Sequence, residues 1–227
     1  MNAYLNMLQD KPMTLIMSLP RNDAALCRAA FEAGADVVKV HCNVQHRASK
    51  NGFGPLSSYA GIFQEMLAEA KGPMGLVPGA DAADVRRDME AASRLPFAFF
   101  SLYVHHVPPT LLGMPQALMA ACAHDYTMEE AATLEAAGAK VLEASVVPPE
   151  GYGQALTLRD VIAYRRLCEA TRLPVVVPTQ RRIAPEDLPY LRDAGVRGIM
   201  IGAIVTGDDE EGIVRAVASF RAAVDRL

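Results

Sequence analysis

Eight short apolar runs alternate with helix-like segments from one end of the chain to the other, which is the pattern of repeated βα units around a parallel sheet. The runs are almost continuously apolar, as strands are when helices cover one side and a barrel core fills the other. Glycine closes the helix at three joints, in FEAGADVVKV, LEAAGAKVLEA and LRDAGVRGIMIG. With a length of 227 residues, these observations predict an α/β protein, a single (β/α)8 TIM barrel over residues 1–227.

The predicted strands are residues 13–19, 37–43, 74–77, 97–104, 118–123, 141–147, 175–178 and 198–201, numbered 1 to 8 here. Helical periodicity falls at 23–33, 58–69, 83–93, 128–136, 158–171, 185–193 and 210–226. Pro185 followed by Glu186 and Asp187 is a sound helix start, because a first-turn proline costs no hydrogen bond and the acids meet the positive helix end. Gly34, Gly138 and Gly195 supply left-handed helix caps before strands 2, 6 and 8. Helix 4 is predicted to be short or missing, since HHVPPTLLGMPQ at 105–116 carries three prolines and a glycine in its place. Residues 44–57, VQHRASKNGFGPLS, read as a mobile loop able to close over a site.

Twenty-two basic against 26 acidic residues, without a basic run, is not the footprint of a nucleic-acid binder. A small-molecule anion is the expected partner. Cys27, Cys42, Cys122 and Cys168 are widely spaced and read as reduced core thiols. No apolar run approaches a membrane span and residues 1–12 are too polar for a signal peptide, so the expectation is a cytoplasmic protein without membrane contact. The apolar LLGM at 111–114 leaves room for a subunit contact, hence for a homodimer.

Ligands of such barrels bind at the C-terminal strand ends, and all five histidines fall there: His41 ends strand 2 and His46 follows in its loop, His105 and His106 close strand 4, and His124 closes strand 5. Period-two alternation puts Lys39, His41 and Asn43 on one face of strand 2, and Glu143 with Ser145 on one face of strand 6. A lysine in mid-strand is costly to bury alone, so a Lys39–Glu143 pair across the interior is expected, either as acid/base or Schiff-base apparatus or as a structural ion pair. The candidate catalytic set is Lys39, His41, His124 and Glu143, with Asn43, His105, Ser145 and Gln180 as substrate contacts. PTQRRI places Arg181 and Arg182 at the end of strand 7, where two arginines would clamp a phosphate or carboxylate, with Gly202 and Ala203 after strand 8 as backbone donors. No cofactor is expected. Two histidines with Asn43 and Asp125 leave room for a divalent metal, but there is no HxH or HxxxH pair, so no metal ligands are assigned.

ACAHDYTMEEA, VLEASVVPPEGYG, LPVVVPTQRRIAPEDL and AGVRGIMIGAIVTG, spread over residues 121–220, resemble the ribulose-phosphate-binding barrels, and most closely the N-acylglucosamine-6-phosphate 2-epimerase family. The resemblance implies the barrel, a short N-terminal helix before strand 1, a phosphosugar-type ligand and a phosphate cradle at strands 7 and 8. It does not carry over that family's catalytic residues. Its strand-7 acid falls at Gln180, its strand-5 aspartate at His124 or one before Asp125, and its strand-3 lysine near Pro78 or Gly79. Lys39 keeps only the cationic character of its strand-2 arginine. His41-x-Asn43 is similar, more loosely, to the His-x-Asp metal pair of ribulose-phosphate 3-epimerases. Three functions follow as expectations: an isomerase or epimerase of a small phosphorylated sugar or related anion, a Schiff-base aldolase or lyase using Lys39, and a noncatalytic phosphometabolite-binding or regulatory barrel.

Overall fold

The computed structural model describes residues 2–227. Eight parallel strands close into one barrel: β1 (Thr14–Ser18), β2 (Val37–His41), β3 (Met74–Val77), β4 (Phe99–Tyr103), β5 (Ala117–Cys122), β6 (Val141–Ala144), β7 (Val175–Pro178) and β8 (Gly198–Ile201). The ring shuts where Thr14 pairs with Gly198 and Met17 with Ile201. Outside it lie α1 (Ala3–Asp10), α2 (Ala24–Glu32), α3 (Ala60–Glu69), α4 (Ala82–Ser93), α5 (Met128–Thr133), α6 (Leu158–Ala170), α7 (Leu188–Asp193), α8 (Ala203–Thr206) and α9 (Glu210–Val224). Gly34, Gly138 and Gly195 take φ of 107°, 108° and 98°, the left-handed caps that their sequence positions require.

Two connections depart from regular βα geometry. Between β4 and β5 the three prolines leave no α-helix, only 3-10 turns at Val104–His106 and Pro109–Gly113. His105 and His106 therefore lie on a tight turn, with ring centroids 4.2 Å apart. After β2, the stretch read as a mobile loop folds into a short antiparallel hairpin, Val44–Gln45 against Gly52–Phe53. Asn51 ties it to the β1–α2 connection by donating its side-chain amide to the Pro20 carbonyl at 2.9 Å.

The sheet separates two cores. Outside it, residues of the helices pack against the outward faces of the strands. Inside, the N-terminal end is plugged by α1, whose Tyr4 and Leu8 are fully buried against Ile16, Val37, Phe99, Met119, Val141, Val176 and Met200. Tyr4 and Phe99 stack at 4.2 Å between centroids, and Gly75 makes space for them: a Cβ there would lie 2.1 Å from the Phe99 ring. Among the described residues, this plug and the long apolar side chains above it fill the N-terminal end, and the barrel opens for a ligand at its C-terminal end.

Candidate active site

Above the apolar plug the barrel interior turns polar. Lys39 from β2 and Glu143 from β6 meet across it, Nζ to Oε2 at 3.7 Å, with each side chain less than a tenth exposed. Both carboxylate oxygens of Glu143 are held: Ser101 Oγ donates to Oε2 and Ser145 Oγ to Oε1, each at 2.7 Å. The same alternation that turns Lys39 inward does this for Ser101, two residues after the inward Phe99, so Ser101 was legible in the strand pattern and was missed. Burial pushes the Lys39 ammonium below its ordinary pKa, and the neighbouring Glu143 charge opposes part of that shift.

These residues form the floor of a cavity of about 520 Å³ that opens at the C-terminal strand ends. All five histidines line it. His41 is the deepest: it is 1% exposed, its Nε2 stands 3.4 Å from Ser18 Oγ, and its Nδ1 has no hydrogen-bond partner among the described residues. Its ring packs against His46 at 4.6 Å and Phe53 at 4.8 Å. Burial, then His46, then Lys39 hold its pKa well below the usual imidazole value. His46 is pushed down to about 4, again mainly by burial and next by Lys39. Both rings are thus neutral at pH 7. The Ser49 backbone N–H donates to His46 Nδ1 at 3.3 Å, which leaves the proton on Nε2. His124 and His105 stand exposed at the rim.

The wall after β6 and β7 is built on Gln180. Its Oε1 accepts from the Val147 N–H at 3.0 Å and its Nε2 donates to the Tyr152 hydroxyl at 2.5 Å, so the amide joins two strand ends and fixes the tyrosine ring. Tyr103 stands at the end of β4 and lines the same cavity. Tyr152, Tyr103 and Ser18 were not anticipated individually; Thr179 belongs to the PTQRRI segment expected at the mouth.

Four of the expected contacts are placed elsewhere. Asn43 lies beyond the end of β2 with a φ of 51°, and that left-handed step ends the alternation that would have turned it inward. Its amide donates to the Pro78 carbonyl at 3.0 Å and to Asp88 at 2.7 Å on α4, away from the cavity lining. Arg181 is also absent from the lining. Its guanidinium is engaged by Asp160 at 3.1 Å, the Gly151 carbonyl at 3.0 Å and Gln154 at 3.2 Å, which ties the β6 and β7 loops to α6 instead of facing a ligand. Arg182 is exposed outside the cavity, and Ala203 starts α8 without touching it. Gly202 does line the cavity, but its N–H already donates to Thr179 Oγ1 at 3.1 Å. Among the described residues no group of three or more His, Cys, Asp or Glu side chains is gathered as a metal site, and no helix is long and apolar enough to cross a membrane.

No protein-family model matches the chain. No curated protein matches it either. Many solved structures share its fold. A tryptophan synthase structure from M. tuberculosis is 15% identical, with TM-score 0.74 and coverage of 98% of this chain and 97% of that one. The thiamine phosphate pyrophosphorylase from Pyrococcus furiosus is 16% identical, with TM-score 0.65 and coverage of 98% of both chains. A structure described as "Native KDPGal structure" is 21% identical, with TM-score 0.64 and coverage of 94% of this chain and 96% of that one. At these identities the likeness is one of fold, and the chain has the (β/α)8 architecture that they share.

Proposed function

We propose that this protein is an enzyme of the ribulose-phosphate-binding type of barrel, an isomerase or epimerase that moves a proton on a small anionic metabolite carrying a carbonyl group. The observation that carries the reading is the Lys39–Glu143 pair at the floor of an open cavity, with Glu143 fixed by two serines. A buried ion pair facing packed side chains is a structural device, but one facing ligand-sized space is placed to exchange protons with what enters. Burial makes the Lys39 amine easier to deprotonate than a surface lysine, and Glu143 keeps it positioned. His41 adds a neutral imidazole at the β2 end of the same cavity, with Ser18 beside it, and His124 lines the cavity at the rim. A phosphorylated ligand is in keeping with the name of the thiamine phosphate pyrophosphorylase that shares the fold.

The test is exchange of substrate C–H for deuterium in heavy water, screened over phosphosugars and small keto acids by mass spectrometry. The wild type is expected to incorporate deuterium into one class. Lys39→Met and Glu143→Gln are expected to lose about 10²- to 10⁴-fold in rate, the usual worth of a positioned acid or base. Exchange that survives in both variants sinks the assignment. The lowered Lys39 pKa also favours a second reading, a Schiff-base aldolase or lyase. Borohydride trapping distinguishes the two, because only the lyase leaves a reduced adduct on Lys39. A wild type with ligand-induced stabilisation but neither exchange nor adduct would be the noncatalytic barrel.

A further inference from the structure

We propose that Arg47, presented by the hairpin after β2, is the anion receptor of the cavity and takes the carboxylate or phosphate of the metabolite at the mouth. This rests on reading the cavity as the site of an anionic ligand, and it moves the anion away from the ends of β7 and β8.

Three observations carry it. First, Arg47 lines the cavity, is exposed, and has no ion-pair partner among the described residues, whereas Arg181 is held by Asp160, Gly151 and Gln154 and does not line it. The carboxylates lining the same space are Glu143, held by Lys39 and two serines, and Asp125 on the β5 side. Second, the guanidinium carbon sits 5.6 Å from the centroid of Tyr152, and that ring is anchored through its hydroxyl to Gln180. A guanidinium laid on an aromatic face keeps its N–H edge available for a planar or tetrahedral oxyanion. Its perch is rigid, so less freedom is lost on binding.

Third, the segment that carries Arg47 is held in place. Asn51 bonds to Pro20, the His46 N–H donates to the Asn51 carbonyl at 2.9 Å, and His46 packs on His41. The strand 7 and 8 end offers less, because the Gly202 N–H is already bonded to Thr179. With the imidazoles of His41 and His46 neutral, Arg47 is a permanent positive charge at the mouth, and Lys39 lies at the floor. A ligand with an anionic end and a reacting carbonyl fits that spacing of roles.

Arginine labelling by phenylglyoxal, read residue by residue by peptide mass spectrometry, tests this on the wild-type chain. Inorganic phosphate and acetate are the probes, with chloride at matched ionic strength as the control and Arg182, exposed outside the cavity, as the internal reference. Saturating phosphate or acetate is expected to slow labelling of Arg47 about tenfold and leave Arg182 unchanged, and whichever protects identifies the oxyanion. Arg47→Ala should weaken the same anion about tenfold by calorimetry, with Arg47→Lys intermediate. Equal labelling of Arg47 with and without both anions, or unaltered affinity in Arg47→Ala, overturns the proposal. Lys39→Met separates the two readings: protection of Arg47 in that variant keeps the receptor even if deuterium exchange has failed.

Discussion

The floor at β2 and β6 and the rim after β7 each join a basic side chain to a carboxylate, yet they do opposite things. Lys39 meets Glu143 at 3.7 Å beside open space, while Arg181 meets Asp160 at 3.1 Å with two further acceptors closing around its guanidinium. The first pair has an unfilled side and reads as chemistry. The second lies outside the cavity lining and reads as a brace between loops and a helix. A charge near a barrel mouth is therefore informative only once its own partners are known, because a guanidinium oriented by three acceptors outside the cavity is held away from a ligand within it.

The largest effect expected from this contrast is at the floor. Lys39→Met leaves the Glu143 carboxylate buried without its cation and should cost about 3–5 kcal/mol in urea unfolding, while Lys39→Met with Glu143→Gln should recover most of it. A single variant as stable as the wild type would show that the pair is not coupled in the folded protein.

Next comes acid. His46 titrates at about 4 when folded and near 6.5 when unfolded, so between these values the unfolded chain binds more protons. Stability should be complete above about pH 6.5 and fall as pH drops towards 4, by up to about 3 kcal/mol, with His41 acting in the same direction. Unfolding midpoints measured across that window should show a shallower fall in His46→Gln. The same slope in both proteins would remove His46 from the account.

Arg181→Ala should cost about 2 kcal/mol of stability without changing anion protection of Arg47, which is what separates a brace from a receptor. Loss of protection with stability intact would reverse the two roles. The smallest effect belongs to Asn43→Ala, about 1 kcal/mol, since it loses the contacts to Pro78 and Asp88 and places alanine in left-handed backbone. Asn43→Gly, free of the backbone penalty, should be milder in the same unfolding experiment.

The eight strands, the glycine caps and the lack of an α-helix between β4 and β5 were legible because each depends on local periodicity or local backbone chemistry. Lys39 and Glu143 were legible for a related reason: period two makes each side chain's face predictable, and the barrel brings the even-numbered strands to one layer. Asn43 fails the same rule one residue past the strand end, where the chain turns left-handed. Arg181 fails differently. Its partner Asp160 lies 21 residues earlier on α6, and nothing local to PTQRRI reports that contact.

Arg47 sat in a stretch whose polar composition suggested only a loop. Its standing depends on a hairpin, on a tyrosine from the β6 side and on a glutamine from β7 that holds that tyrosine. By itself, then, the sequence determined the barrel, the end at which its polar residues gather, and the inward lysine and glutamate, since all of these follow from spacing along the chain. Only the tertiary structure decided which cations have partners and which face the cavity, because pairing of charges is set by contacts between segments far apart in sequence.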